Sequence, residues 1–183
     1  MVGSFSASVL PLMHAVSSLA ANNIIQSISY ATFPISLMII GTAMSVVFAT
    51  FSMKRLGRKR GLMFLLSTGL CACLLAAYAL DIENFYLFSL AAFLLGALNA
   101  TIHQMRFVAL EAVKEINHAT AAAIFMSSGI VAAFLGPEIG FLGKDIFEVE
   151  FKGSFILAAI MVAISMISLC LFNELKKEIK NIK

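Results

Sequence analysis

Apolar stretches long enough to cross a lipid bilayer recur six times in this chain, near residues 5–26, 33–53, 61–80, 85–110, 119–142 and 153–172. A helix needs about 20 such residues to span the hydrocarbon core. Backbone groups find no water there, so the helix, which bonds its own backbone, is the structure that such runs adopt. A secretory signal peptide accounts for one terminal apolar stretch, not for runs spread over 183 residues. Composition agrees. The chain is 61% hydrophobic and 13% charged, with a mean hydropathy of +0.97, against about 45–50% apolar and about 25% charged in soluble domains. The expected fold class is an all-α membrane protein with six transmembrane helices, and short connections make neighbouring helices antiparallel.

Charge sets the orientation. Lys54, Arg55, Arg58, Lys59 and Arg60 crowd the second connection. With both termini and the second and fourth connections in the cytoplasm, these five and Lys114, Lys176, Lys177, Lys180 and Lys183 lie inside, and only Lys144 and Lys152 lie outside. That is the bias of the positive-inside rule, and Asp81, Glu83, Asp145, Glu148 and Glu150 make the outer loops acidic. A net charge of +3, placed this way, points to membrane topology and gives no reason to expect nucleic acid.

Polar residues inside the apolar runs are the candidates for function, because a buried ionisable group in a membrane usually faces a bundle interior or water. The first helix carries Ser4, Ser6, Ser8, His14, Ser17, Ser18, Asn22 and Asn23. The serines fit helix-to-helix hydrogen bonding as well as they fit a cavity; His14 and Asn22, bulkier and harder to satisfy locally, are the cavity candidates. On the fourth helix Asn99, His103 and Arg106 recur at i, i+4 and i+7, one stripe on one face. We read the stripe as cavity-lining; the alternative is that Arg106, near the cytoplasmic end, reaches the inner interface along its apolar stem. Glu138 follows Pro137 on the fifth helix. It is either a proton-coupling carboxylate or an interfacial group paired with Lys144 or water. Small residues four apart let backbones approach, which marks Gly41 and Ser45 on the second helix, and Ala132, Gly136 and Gly140 on the fifth, as packing faces. The third and sixth helices, with few polar side chains, are expected at the lipid-facing periphery.

Nothing suggests a soluble catalytic site: there is no phosphate loop, no nucleophile elbow and no ligand-spaced Cys or His cluster. Cys71 and Cys73 sit two apart and point to nearly opposite sides of a helix, so they and Cys170 read as inert thiols. No enzyme activity, cofactor or metal is expected.

The basic connection resembles the signature G-x-x-x-D-R-x-G-R-[RK] of the major facilitator superfamily. Arg55, Gly57, Arg58 and Lys59 match, while Thr50 stands at the first glycine and Lys54 at the aspartate. Residues 31–43, 104–112, 131–138 and 153–155 are similar to the second, fourth, fifth and sixth helices of one bacterial branch of that superfamily. The superfamily's usual arginine early in the fourth helix is absent, since residues 91–96 read Ala-Ala-Phe-Leu-Leu-Gly.

The resemblance implies an N-terminal six-helix half, built of two inverted three-helix repeats over residues 1–172. Residues 173–183 then form a basic cytoplasmic tail or the start of the linker to a second half. It implies secondary active transport of a small solute across a bacterial inner membrane by alternating access, for which Glu138, read from its own place on the fifth helix, is the candidate proton-coupling site. The polar positions read above, His14, Asn22, Asn99, His103 and Arg106, would bind the solute, and by the resemblance Arg55, Gly57, Arg58 and Lys59 would form a gating loop rewired at Thr50 and Lys54. The expected partners are the lipid bilayer, the solute, and a second half, either a separate chain or another copy. A homodimer would bury Gly41 and Ser45 against Gly136 and Gly140 across the interface, with Pro137 between them. The alternative is a non-transporting membrane subunit or degenerate fragment that binds a partner protein.

Overall fold

The computed structural model describes residues 2–25, 32–111 and 118–181. They form six helices: α1 (Val2–Ile25), α2 (Phe33–Leu56), α3 (Arg58–Asp81), α4 (Phe85–Glu111), α5 (His118–Leu142) and α6 (Lys152–Asn181). Among the described residues there is no strand. Five of these helices are long and apolar enough to cross a membrane; α1 holds a shorter apolar stretch, Val9–Ala21. The helices begin and end within a few residues of the apolar runs, except that α6 continues beyond its apolar span Lys152–Cys170 as far as Asn181.

Local chemistry explains the boundaries. Pro34 sits in the first turn of α2, where its missing N–H has no carbonyl to meet. Gly57 alone separates α2 from α3, at φ +84°, a left-handed value that glycine adopts without strain. Its N–H bonds the Met53 carbonyl at 3.1 Å and its own carbonyl accepts from Gly61 at 3.0 Å, so the basic connection is a one-residue hinge between two helices. At the other end, Asn84 Oδ1 accepts from the Leu87 N–H at 3.0 Å, capping the start of α4.

The helix neighbours carry a symmetry. The packed pairs are α2 with α4, α1 with α5, α3 with α4, α1 with α6, α3 with α6, α2 with α3, α5 with α6, α1 with α4, α4 with α5 and α1 with α2. Exchanging α1 with α4, α2 with α5 and α3 with α6 maps this set onto itself, which is the pattern of two three-helix repeats. The hydrophobic core draws on both repeats; within the second, Phe88 of α4 and Phe155 of α6, both fully buried, meet edge to face at 5.5 Å.

Burial separates the helices into two groups. The most open helices are α2 and α5, with 22% and 12% of their apolar spans buried, while α3 and α6 are 50% and 44% buried and pack on each other. The small side chains of α3 explain this: Gly61, Gly69, Ala72, Ala76 and Ala79 are buried and let neighbours close in.

The glycines bring a correction. A Cβ on Gly41 would lie 2.0 Å from the Phe93 carbonyl oxygen of α4, and one on Gly140 would lie 2.8 Å from Val16 Cγ2 of α1. Both glycines, and the buried Gly136, are enclosed within this chain. Gly41 and Gly140 are therefore not available as a seam against another copy; Ser45 and Pro137 are half-buried.

The two ends of the bundle differ in charge as the sequence suggests. Lys54, Arg55, Arg58 and Arg60 are exposed at the α2–α3 hinge. At the opposite end Asp81, closing α3, pairs with Lys152, opening α6, at 2.7 Å, and Lys144 pairs with Glu150 at 3.7 Å.

Candidate functional site

The α2–α4 junction positions the central polar groups. α4 approaches α2 through glycine on both sides: a Cβ on Gly96 would lie 2.4 Å from the Thr42 nitrogen and 2.5 Å from the Gly41 carbonyl carbon. One turn further along α4, Asn99 Nδ2 donates to Thr42 Oγ1 at 3.3 Å. The Thr42 hydroxyl donates its one hydrogen to the Met38 carbonyl at 2.9 Å, so its oxygen can only accept from Asn99. This fixes the orientation of the amide and turns Oδ1 away from Thr42.

The same device recurs toward the basic end. The Thr50 hydroxyl donates to the Val46 carbonyl at 2.9 Å, and Gln104 Nε2 donates to Thr50 Oγ1 at 3.5 Å. The two pairs advance together along both helices, so α2 and α4 run parallel. Gln104 and Thr42 were not singled out from sequence as site residues. The available signal was a threonine at both positions 42 and 50, eight residues apart on α2.

Beyond this seam α4 opens. Asn99 is half-buried, whereas His103 and Arg106 are exposed, although 61% of the helix's apolar span is buried. On α1, Val9, Leu12, Met13, Val16, Ser17 and Ala20 are buried on one side, and His14 stands exposed on the other. Its Nδ1 lies 2.9 Å from the Leu10 carbonyl oxygen. Asn22 is on the α1 backbone, but its side chain lies outside the described residues, as does Lys114.

Glu138 is exposed on α5, immediately after Pro137, and the helix runs unbroken through both. Lys144, the alternative partner for Glu138, is paired with Glu150 and lies 5.6 Å from the Phe151 ring centre. In the basic hinge Arg55 stacks its guanidinium over Phe51 at 4.3 Å. Arg58 is exposed and Lys59 half-buried. Val46, Val47, Thr50, Phe51 and Lys54 line an open groove of about 380 Å³ on α2. Thus both residues that depart from the signature, Thr50 and Lys54, face the same groove. Cys71, Cys73 and Cys170 are free thiols. Among the described residues, no three His, Cys, Asp or Glu side chains come together in a way that could hold a metal ion.

A family model described as Major Facilitator Superfamily matches residues 1–183, and the chain belongs to that superfamily. It is an integral, multi-pass membrane protein. It is similar to the riboflavin transporter RfnT of Brucella anthropi, with 28% identity over 156 residues. The match covers 85% of this chain and 39% of the relative, so the chain spans about two fifths of that transporter's length. No solved structure matches the chain.

Proposed function

We propose that this chain is one half of a secondary transporter that moves a small polar or anionic solute across a bacterial inner membrane by alternating access. The observation that carries the reading is the α4 stripe. An arginine at membrane depth is unfavourable by about 2.5–3.5 kcal/mol on insertion scales, yet Arg106 and His103 stand on the open side of an otherwise buried helix. Groups placed so are satisfied by a water-filled path and by the solute within it. His14 and Asn22 on α1 and Asn99 on α4 complete the binding face, and Glu138 on the open α5 is the proton-coupling carboxylate.

The second half covers α2 and α5, the two least buried helices. The match to RfnT covers 39% of that transporter, which supports a second half packed against this one. The positive-inside bias supports an orientation with both termini in the cytoplasm. Riboflavin, the solute in the relative's name, is the first to test.

Uptake into proteoliposomes, with and without an inward proton gradient, measures the activity. Arg106→Ala is expected to lower uptake by about 10-fold or more, the loss for removing a charge-assisted hydrogen bond of about 1.5–3 kcal/mol. Uptake equal in Arg106→Ala and wild type would remove Arg106 from the path. Uptake absent in every combination with a candidate second half would end the transport reading.

A further inference from the structure

We propose that His14 is a specificity residue whose ring is held with its hydrogen on Nδ1, so that Nε2 accepts a hydrogen bond from an N–H group of the transported solute. This rests on the transport reading above and names the solute chemistry that the site selects.

The argument begins with the 2.9 Å contact between His14 Nδ1 and the Leu10 carbonyl oxygen. A carbonyl oxygen only accepts, so the nitrogen at this distance must donate. In the neutral imidazole one ring nitrogen carries the hydrogen and the other is a bare acceptor. The contact with Leu10 therefore decides the tautomer, and the acceptor left over is Nε2. The four-residue separation makes this a bond within α1, independent of how α1 packs. The backbone itself sets the polarity of the side chain.

The place of the ring gives that polarity a use. The opposite side of α1 is closed by Val9, Leu12, Met13 and Val16, all at most 1% exposed, while His14 is open. A bare acceptor facing hydrocarbon would be left unsatisfied at a cost of order 1–3 kcal/mol, so it calls for a donor in the path. Asn99 has the same sense. Its amide hydrogen points to Thr42, and its Oδ1, also an acceptor, is turned away from that residue. One fixed acceptor with the guanidinium of Arg106 suits a heterocycle edge that sets N–H beside C=O, and the other acceptor suits a hydroxyl of the same solute. The imide of a flavin is such an edge, which fits the solute named for RfnT. A site built to bond an N–H strongly rejects the analogue that lacks it, because the acceptor is then buried without a partner.

The test uses the full chain with 15N-labelled histidine in lipid nanodiscs at pH 8, the His14 signals being assigned by their loss in His14→Gln. Nδ1 is expected to carry the proton and Nε2 to be bare; the reverse tautomer overturns the inference. Riboflavin should then shift the Nε2 signal, and riboflavin methylated at the imide nitrogen should not. In uptake, wild type should prefer riboflavin over the methylated form by more than about 10-fold. His14→Gln, whose carbonyl oxygen reaches near the position of Nε2, should keep most of that preference, and the shorter His14→Asn should reduce it to within about 2-fold. Uptake without a shift at Nε2, or equal preference in His14→Asn and wild type, overturns the inference and leaves transport standing. A shift at Nε2 without uptake supports the inference and counts against transport by this chain, and absence of both overturns both.

Discussion

The α2–α4 and α1–α5 junctions are counterparts under the repeat exchange, yet they are built in different ways. In α2–α4 backbone meets backbone: Gly41 faces the Phe93 carbonyl, Gly96 faces Gly41 and Thr42, and two threonine–amide bonds fix the register. In α1–α5 side chains meet a glycine: Leu12 and Val16 rest on Gly140. Directional bonds and interlocked backbones resist sliding, whereas apolar side chains on a smooth glycine surface resist it less. One junction therefore holds the Asn99, His103 and Arg106 stripe of α4 in a set place, and the other leaves α5 with only 12% of its apolar span buried.

The sharpest way to break that contrast is a single methyl group. Gly96→Ala would place a carbon within 2.7 Å of three backbone atoms, the Thr42 nitrogen, the Gly41 carbonyl carbon and the Met38 oxygen, and none can turn aside as a side chain can. Gly41→Ala meets the same obstacle at 2.0 Å. Overpacking of this kind costs about 1–3 kcal/mol or more, so both variants should show a large fall in folded yield and in the detergent melting temperature. Gly140→Ala needs only that Val16 and Leu12 shift, and its melting temperature should fall clearly less. Equal losses at Gly96 and Gly140 would show that the two junctions are equally rigid.

These same residues show what a sequence makes legible. The six helices follow from apolar runs of spanning length, because the bilayer imposes that length locally. The stripe of Asn99, His103 and Arg106 is equally local, set by helical periodicity. Partners are not local. Gly41 announces that some backbone comes close but not which one; the expected partner was the fifth helix of another half, and the observed partner is α4 of the same chain. Gly96 sat in a stretch noted only for its missing arginine. Thr50 stood out as a departure from the family signature, and its role as acceptor for Gln104, 54 residues away, is written in no run or spacing. Few polar side chains on α3 and α6 gave no hint that the two helices pack on each other. Asn99 was found, while Thr42, which orients it, was not.

The polar half of the contrast is tested by a double-mutant cycle of Thr42→Val and Asn99→Ala. Coupling energies for hydrogen bonds between membrane helices average about 0.6 kcal/mol and reach about 1.7. We expect a value in the upper part of that range, because the Thr42 hydrogen is already committed to Met38 and the acceptor geometry is preset. On the transport reading proposed above, Thr42→Val should also lower solute uptake by a larger factor than its loss of folded protein explains, since it frees the Asn99 amide to rotate. A coupling near zero would reduce the α2–α4 junction to glycine packing alone.

The third junction, α3 with α6, maps onto itself under the exchange and sharpens the comparison from the weak end. Its Asp81–Lys152 pair is close, at 2.7 Å, but the side chains remain 34% and 26% exposed, so water competes for both charges. Exposed pairs contribute about 0.2–1 kcal/mol, and salt weakens them further because the screening length falls to about 3 Å at 1 M. Asp81→Asn should therefore lower the melting temperature less than Thr42→Val, and the loss from Asp81→Asn should shrink as salt is raised. The reverse replacement, Asp81→Lys with Lys152→Asp, should recover most of the loss, since the ends of α3 and α6 require opposite charges rather than a particular residue at either place. If the swap fails to recover it while Asp81→Asn alone is severe, the outer junction depends on the shape of the 143–151 turn, in which Phe151 is buried at φ +65°, and not on the charge pair beside it.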